Sequence, residues 1–522
     1  MTDNPDREFV DELIDVFREG AHLGIDELPE KSLICPNNLS ARKQPTVVDE
    51  LLQKEITQGY LIGPFPEPPF DVYRINPLSV AHKKYAEPPK PRLVVDYSSP
   101  HDNEEHSSLN DLISKEKFSL TYTKIDEAIQ IIQNYGQKSW LCKTDLSDAF
   151  KQVPVHPKYW AFQGIKWRNQ YYFYTRLVFG SRSSPKIFDN LSRAIVWIAK
   201  HKYGIDQVLH LLDDFLTIDR PSFNAHRTMA LLTLILNKLK IPYSLKKTMG
   251  PLYVLEYLGL ILDTLLMQCR LPADKLDRMI KTVAEYLDKK ECTKREMLSL
   301  CGSLSFATRV IPIAKSFMFR LFKVAHSKKN LDATVTISKT AKGDLVMWQH
   351  FLSHWNGISL FIDNDETTSP SMHLFTDASG FGHGGIFGNS WFYGEFPEDV
   401  LKRLTKKASI AFKELYPIVI AAVLFGKSWS RKRIVLHCDN KGVVGIVKKG
   451  YSKSEDIMRL MRRLTLVAAY NSFSLTIEHV KGMDNKIADC ISRFKFQEFR
   501  RLAPYANEHP CKLPPLSEIM FG

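Results

Sequence analysis

Two adjacent aspartates, Asp213 and Asp214, sit inside VLHLLDDFLTID, pinched between two apolar runs that read as strands. Neighbouring carboxylates at the turn of a hairpin repel each other unless a cation lies between them. An Asp-Asp turn can also be purely structural, so the pair needs a second feature beside it. WLCKTDLSDAF supplies one, because it reads as a strand that ends in Asp145. A hairpin tip next to a strand end can put Asp145 and Asp213 on either side of a metal pair about 4 Å apart, the device that aligns an attacking hydroxyl with a leaving pyrophosphate. Hard carboxylate oxygens select Mg2+ over zinc.

A second series of acids follows. HLFTDASGFGHGGIFG places Asp377 at a strand end followed by small residues, and AFKELYPIVIAAV places Glu414 on a helix whose other face is apolar. RIVLHCDNKGVV ends a strand in Asp439. IEHVKGMDNKIADCISR sets Asp489 near a helix start, ten positions after His479. Taken singly, a strand-end aspartate reads as readily as a cap. The information lies in the order strand, helix, strand, helix.

Around these acids the chain is organised in blocks. Phe9, Val10, Leu13, Ile14 and Phe17 recur at helical spacing, which predicts a short amphipathic helix joined by a loose segment. Residues 63–91 are proline-rich (GPFPEPPF, AEPPKP), so extended, turning chain is expected there. LVVD, WLCKTDL, YYFYTRLVF, VLHLL, FLTI and YLGLIL read as strands, with helices around 123–134, 185–200 and 223–239. Residues 273–355 read as helix almost throughout. TTSPSM (367–372) reads as a linker, and after it the strands HLFTDAS, GGIFGN, WFYGEF, RIVLHCD and SLTIEHV alternate with helices 408–427 and 454–471.

Charge narrows the partners. The chain of 522 residues carries 71 Lys and Arg against 58 Asp and Glu, a net charge of +13. The excess is uneven: residues 1–34 hold ten acids and three bases, residues 270–345 sixteen bases and eight acids. A basic helical stretch suits a polyanion, of which nucleic acid is the common one, or else is a solvated face. Eight cysteines stand singly with no C-x-x-C pair, so reduced thiols are expected. The acidic start MTDNPDREFVDEL is unlike a secretory leader, and the longest apolar run, Ile418 to Phe425, is too short to cross a bilayer of about 30 Å. A cytoplasmic or nuclear, non-secreted protein with no membrane partner is the expectation.

KTDLSDAFKQVPVH, RLVFGSRSSPKIFDN, HLLDDFLTI and YSLKKTMGPLYVLEYLGLILD occur in that order and resemble the palm motifs of reverse transcriptases. Upstream, KPRLVVDYS resembles the fingers strand that contacts the incoming triphosphate. The resemblance spans roughly 75–265. It implies that Asp145 and Asp213 are the main metal ligands, with Asp214 beside them, and that Arg92 grips nucleotide phosphates, helped by Lys83 or Lys84. Gly180 and Pro185 match the turn and helix start that let backbone approach template and nucleotide. Lys247 matches a lysine that protonates departing pyrophosphate, or is a surface lysine. Phe150 matches the ring under the sugar that would clash with a 2′-hydroxyl, or is a core phenylalanine. Leu211 is a departure, since many retroviral enzymes have tyrosine there; this bears on fidelity and leaves the ligands untouched.

Residues 372–494 resemble ribonuclease H. That resemblance implies that Asp377, Glu414, Asp439 and Asp489 hold two Mg2+ ions against RNA phosphate, and that His479 assists product release or is a packed strand-end histidine. The basic stretch between the halves falls where these enzymes place a helical thumb that contacts duplex backbone.

The expected fold is therefore α+β and multidomain: a right-hand polymerase of fingers, palm and helical thumb, followed by an α/β ribonuclease H-like domain. Its expected divisions are an acidic extension 1–40, fingers and palm 41–268, thumb and connection 269–367, ribonuclease H-like domain 368–495 and a Pro-containing tail 496–522. The expected activity is RNA-directed DNA synthesis with cleavage of the RNA strand of hybrids. Mg2+ is the expected cofactor, two ions per site, with Mn2+ as substitute. The expected partners are RNA template, DNA primer, RNA/DNA hybrid and deoxynucleoside triphosphates. LLDDFL, TKREMLSLCGSLSFATRVIP and HVKGMDNKIADCISR look most like DIRS/Ngaro-type elements, which implies an element-encoded tyrosine recombinase or Gag-like protein as further partner; a gypsy-type or pararetroviral origin is the near alternative. The competing class is a decayed copy acting only as a nucleic-acid binder.

Overall fold

The computed structural model describes residues 3–82, 91–101, 105–354, 373–403, 409–430, 432–471 and 473–520. The chain forms two units, Met1–Tyr257 and Leu258–Gly522. YLGLIL is not one strand. Leu258 and Gly259 both take positive φ, 48° and 79°, and turn the chain between strands Val254–Tyr257 and Leu260–Asp263. The linker at 367–372 and the expected break near 368 fall outside the described residues, as do Lys83 and Lys84.

In the first unit a four-stranded antiparallel sheet runs in the order Met249–Leu252, Trp140–Asp145, Asp214–Asp219, Val208–Leu211. The helices Ile125–Tyr135, Ser184–Tyr203 and Ala225–Lys238 pack on it, each near its expected span. A five-stranded mixed sheet and the hairpin of Leu78–His82 with Pro91–Val95 complete the unit. YYFYTRLVF yields only the strand Gln170–Tyr174, since its second half turns away toward Gly180.

The amphipathic helix forms at Arg7–Glu19, capped by Asp6, whose Oδ1 accepts from the Phe9 N–H at 3.0 Å. Its apolar side buries Phe9 and Val10 against Ala194 of the helix Ser184–Tyr203. The residues after it are not a loose segment. The Ala21 N–H donates to the Pro154 carbonyl at 2.8 Å, and Leu33–Ile34 adds in parallel to Arg74–Ile75. Ala21, Leu23 and Ile25 all bury, an alternation of period two that inserts the segment into the core as extended chain.

In the second unit the helical stretch appears as Ala273–Asp288, Lys294–Ala307, Phe319–Ala325 and Lys339–His354. It also holds a two-stranded pair, Glu291–Thr293 with Thr334–Thr336, which helical spacing did not predict. Beyond it lies a five-stranded sheet in the order Ser390–Glu395, Gly382–Phe387, His373–Ala378, Arg433–Cys438, Ser474–His479. The first three strands are antiparallel neighbours and the last two add in parallel. The helix Ser409–Phe425 is apolar almost all round, which suits a buried helix, and it fills the core with Phe412, Leu415, Ile418 and Val419.

The C-terminal tail is part of this body. Phe499, Ala503 and Ala506 bury against Trp391 and Ile491, and the Trp391 Nε1–H donates to the Asn507 carbonyl at 2.8 Å. The apolar side chains of this proline-containing segment bury enough surface to order it. All eight cysteines are free thiols. Among the described residues no helix is long and apolar enough to cross a membrane.

Candidate active sites

The first site is built by strand register. Asp145 ends its strand directly opposite Asp214, and Asp214 in turn faces Leu211, so Leu212 and Asp213 form the two-residue turn. Residues directly opposite in an antiparallel pair project to the same face, so the carboxylates of Asp145 and Asp214 share one side. Leu212 takes φ +54°, the left-handed geometry that tight hairpins require and that leucine adopts only when held. Its carbonyl accepts from the Ser192 hydroxyl at 2.8 Å, and the Asp213 carbonyl accepts from the Leu146 N–H at 2.9 Å.

Two lysines close the cluster. Lys247 Nζ lies 2.7 Å from Asp145 Oδ1, and Lys143 Nζ lies 3.3 Å from Asp214 Oδ1. Burial raises the pKa of Asp213, the carboxylates of Asp214 and Asp145 raise it further, and Lys247 opposes them. Asp214 is raised by burial against the pull of Lys143, with Asp145 adding to the rise. Asp145, Asp213, Asp214 and Lys247 are thus gathered in one cluster. Lys143 was not foreseen, although it stands two residues before Asp145 on the same strand face.

The second site gathers four acids from four elements. Asp377 lies on the strand His373–Ala378, Glu414 on the helix Ser409–Phe425, Asp439 after the strand Arg433–Cys438, and Asp489 on the helix Lys486–Ser492. Burial raises Asp377, the Ser492 hydroxyl bonded to its Oδ2 opposes this, and Asp439 and Asp489 add to the rise. Glu414 is pushed up to about 9 by burial, then by Asp377 and Asp439. Asp489 Oδ1 accepts from Arg493 Nε at 2.6 Å. His479 Nε2 sits 3.1 Å from the Asp439 carbonyl oxygen, exposed at its strand end.

The small residues after Asp377 have a packing reason. Gly384 lies opposite Asp377, and a Cβ there would stand 2.3 Å from Ile491 Cγ2. The absent side chain lets the helix carrying Asp489 and Ser492 lie against the Asp377 strand. Ser492 and Arg493 follow Asp489 by three and four residues, one helical turn, which is the signal in the sequence that places them beside it.

Other expected residues take different surroundings. Arg92 is exposed on its hairpin strand opposite Ala81, and its guanidinium makes no ion pair among the described residues. Phe150 is 7% exposed, on a short 3-10 turn, with ring centroids 4.6 Å from Phe179 and 5.5 Å from Phe188. Gly180 has φ +111°, and a Cβ there would meet the Val95 carbonyl oxygen at 2.2 Å. What its backbone approaches is the strand Pro91–Val95. Pro185 opens the helix Ser184–Tyr203, where its missing N–H costs nothing.

The donor sets suit hard divalent cations. Glu414 Oε2 is buried with no hydrogen-bond partner among the described residues, and Asp214 Oδ1 has an ion pair without hydrogen-bond geometry. Glu414, Cys438 and Asp439 bring possible ligand atoms within 4.8 Å of one another. Burial pushes the Cys438 thiol up to about 12, and a hard cation takes carboxylate oxygen over thiol sulfur, so Glu414 and Asp439 are the candidate donors. Orphaned carboxylate oxygens among like charges are a fit for Mg2+.

No family model matches the chain, and no curated protein matches it in sequence. Among solved structures it is similar to the foamy viral protease-reverse transcriptase dRH in complex with double-stranded DNA, at 15% identity over 91% of this chain and 82% of that one, with a TM-score of 0.51. It is also similar to the foamy viral protease-reverse transcriptase in complex with RNA/DNA hybrid, at 13% identity over 90% of this chain and 60% of that one, with a TM-score of 0.52. The likeness extends over nine-tenths of the chain, and it is one of fold: an α+β multidomain chain of reverse-transcriptase-like architecture.

Proposed function

We propose that this chain is an RNA-directed DNA polymerase of a retroelement, and that its C-terminal half cleaves the RNA strand of RNA/DNA hybrids. The observation that carries the reading is the Asp145–Asp214 register with Asp213 at the turn and Lys247 against Asp145. A pure hairpin has no need of three carboxylates and a lysine on one edge. The foamy viral structures hold double-stranded DNA and RNA/DNA hybrid, which supports the same classes of partner here.

In the first site Asp145, Asp213 and Asp214 would hold Mg2+. Bound there, the metal supplies charge neutralisation and lowers the pKa of the attacking hydroxyl. Lys247 keeps its ammonium proton at Asp145 Oδ1, from where it can be passed to the departing pyrophosphate. Lys143 offsets the negative charge of Asp214. Arg92 offers a planar fork of donors to triphosphate oxygens. Phe150 presents a wall beside the sugar. In the second site Asp377, Glu414, Asp439 and Asp489 would hold Mg2+ in the same manner. Ser492 fixes the orientation of Asp377, Arg493 that of Asp489, and His479 stands by Asp439 to help the cleaved strand leave. The wording of LLDDFL and HVKGMDNKIADCISR supports a DIRS/Ngaro-type lineage, and with it an element-encoded tyrosine recombinase as partner.

The test is primer extension on an RNA template with Mg2+, run beside cleavage of an RNA/DNA hybrid. Asp213→Asn should abolish synthesis and spare cleavage, and Asp439→Asn should do the reverse. Either substitution silencing both activities in a folded protein would overturn the two-site assignment. Hybrid binding with neither activity in the unaltered chain would leave a binding protein only.

A further inference from the structure

The second unit contains a cavity of about 510 Å3 that no residue of either carboxylate cluster lines. One side is the 3-10 turn Pro312–Phe317 and the helix Phe319–Ala325, and the other is the end of the helix Lys441–Lys449 with Tyr451. The two sides are tied together. The Ser316 hydroxyl lies 3.1 Å from Thr465 Oγ1 and 3.3 Å from the Gly450 carbonyl, and the Phe319 and Tyr451 rings stand 5.0 Å apart. The cavity is therefore preformed by the packing of the helical stretch on the five-stranded body.

Its lining has one sign of charge. Lys315, Lys323 and Lys449 surround it, no carboxylate lines it, and none of the three lysines makes an ion pair among the described residues. Between them lie aromatic side chains: Phe322 is 36% and Tyr451 38% exposed. A bare inorganic anion would satisfy the lysines and leave the rings in water. A purely apolar ligand would cover the rings and leave three ammonium groups unpaired. A phosphorylated nucleoside satisfies both, because every base has a π face that stacks on an aromatic ring while its phosphate meets the cations. The volume falls in the range of small-ligand sites.

We propose that this cavity binds a phosphorylated nucleoside, with the base against Tyr451 and Phe322 and the phosphate among Lys315, Lys323 and Lys449. The ligand is one nucleotide of an unpaired strand or a free nucleotide, which share this chemistry. The inference is independent of the polymerase reading, because it uses no residue of either carboxylate site.

The experiment measures binding of the full chain to a fluorescent oligothymidylate and to an abasic oligomer of equal length, by anisotropy. Tyr451→Ala with Phe322→Ala should weaken oligothymidylate binding roughly tenfold and leave the abasic oligomer unchanged. Replacing Lys315, Lys323 and Lys449 with glutamine should weaken both oligomers and flatten their salt dependence. ATP that displaces oligothymidylate from the unaltered chain and not from the aromatic variant assigns the cavity to free nucleotides; no displacement assigns it to an unpaired strand. Equal weakening of both oligomers by the aromatic variant, or no change in either, overturns the proposal. Should the alanine pair unfold, Tyr451→Leu keeps the apolar volume, removes the π face and must show the same selective loss.

Discussion

Phe150→Val separates a wall beside the sugar from a residue that only packs. The ring is 7% exposed and touches Phe179 and Phe188, so valine removes about four carbons from a tight cluster. At ~0.8 kcal/mol per buried carbon this costs about 3 kcal/mol of stability, and the lost ring contacts add ~0.5–1.5 kcal/mol. A fold of ordinary stability, about 5–15 kcal/mol, survives the change. The remaining exposed edge is what can meet a sugar. A rigid ring offers no hydrogen bond to repay desolvation of a 2′-hydroxyl, whereas a soft apolar pocket rejects an added hydroxyl only modestly. Removing the wall should lower discrimination by ~2–4 kcal/mol, or roughly 30- to 1000-fold in the ratio of kcat/KM for CTP and dCTP. The assay is single-nucleotide incorporation on one primer-template. Any loss of folded protein lowers both rates by the same factor and cancels in the ratio, so destabilisation cannot imitate the effect. Equal losses for CTP and dCTP would reduce Phe150 to core packing and refute the argument.

Three further outcomes are expected. Among the basic residues at the junction of the first two helices, Lys294 is bonded to the carbonyls of Lys328 and Lys329 and Arg295 is paired with Asp332 at 3.0 Å, whereas Lys281, Lys289 and Lys290 make no ion pair among the described residues. Reversing these three to glutamate should weaken hybrid binding at every sequence and lower the slope of log affinity against log salt by about one per lost phosphate contact; an unchanged slope would make them a solvated face. Val10→Asp puts a charge where Val10 is buried against Ala194, so the helix Arg7–Glu19 should undock and its amide hydrogens exchange faster, and unchanged protection would contradict the docking. Phe499→Ala should cost about 3–5 kcal/mol in chemical denaturation, because Phe499 is fully buried beside Trp391 and Ile491; a loss near zero would return the tail to the solvent.

The sequence by itself determined the elements and the acids they carry. The apolar run leading to Asp145 and the apolar runs flanking Asp213–Asp214 specify a strand end and a hairpin, because strand preference and turn geometry are properties of a few consecutive residues. Asp377, Glu414, Asp439 and Asp489 are legible for the same reason, each at the end of a strand or on a short helical pattern. What joins them was decided by tertiary structure alone. Lys247 reaches Asp145 across 102 residues, and Ser492 reaches Asp377 across 115. The first forty residues and the proline-containing tail look peripheral by composition, yet they enter the cores through Ala21, Leu23, Ile25 and Phe499. No local pattern marks such contacts. They form because separate apolar faces find shapes that pack at interior density, and only the assembled fold defines those shapes.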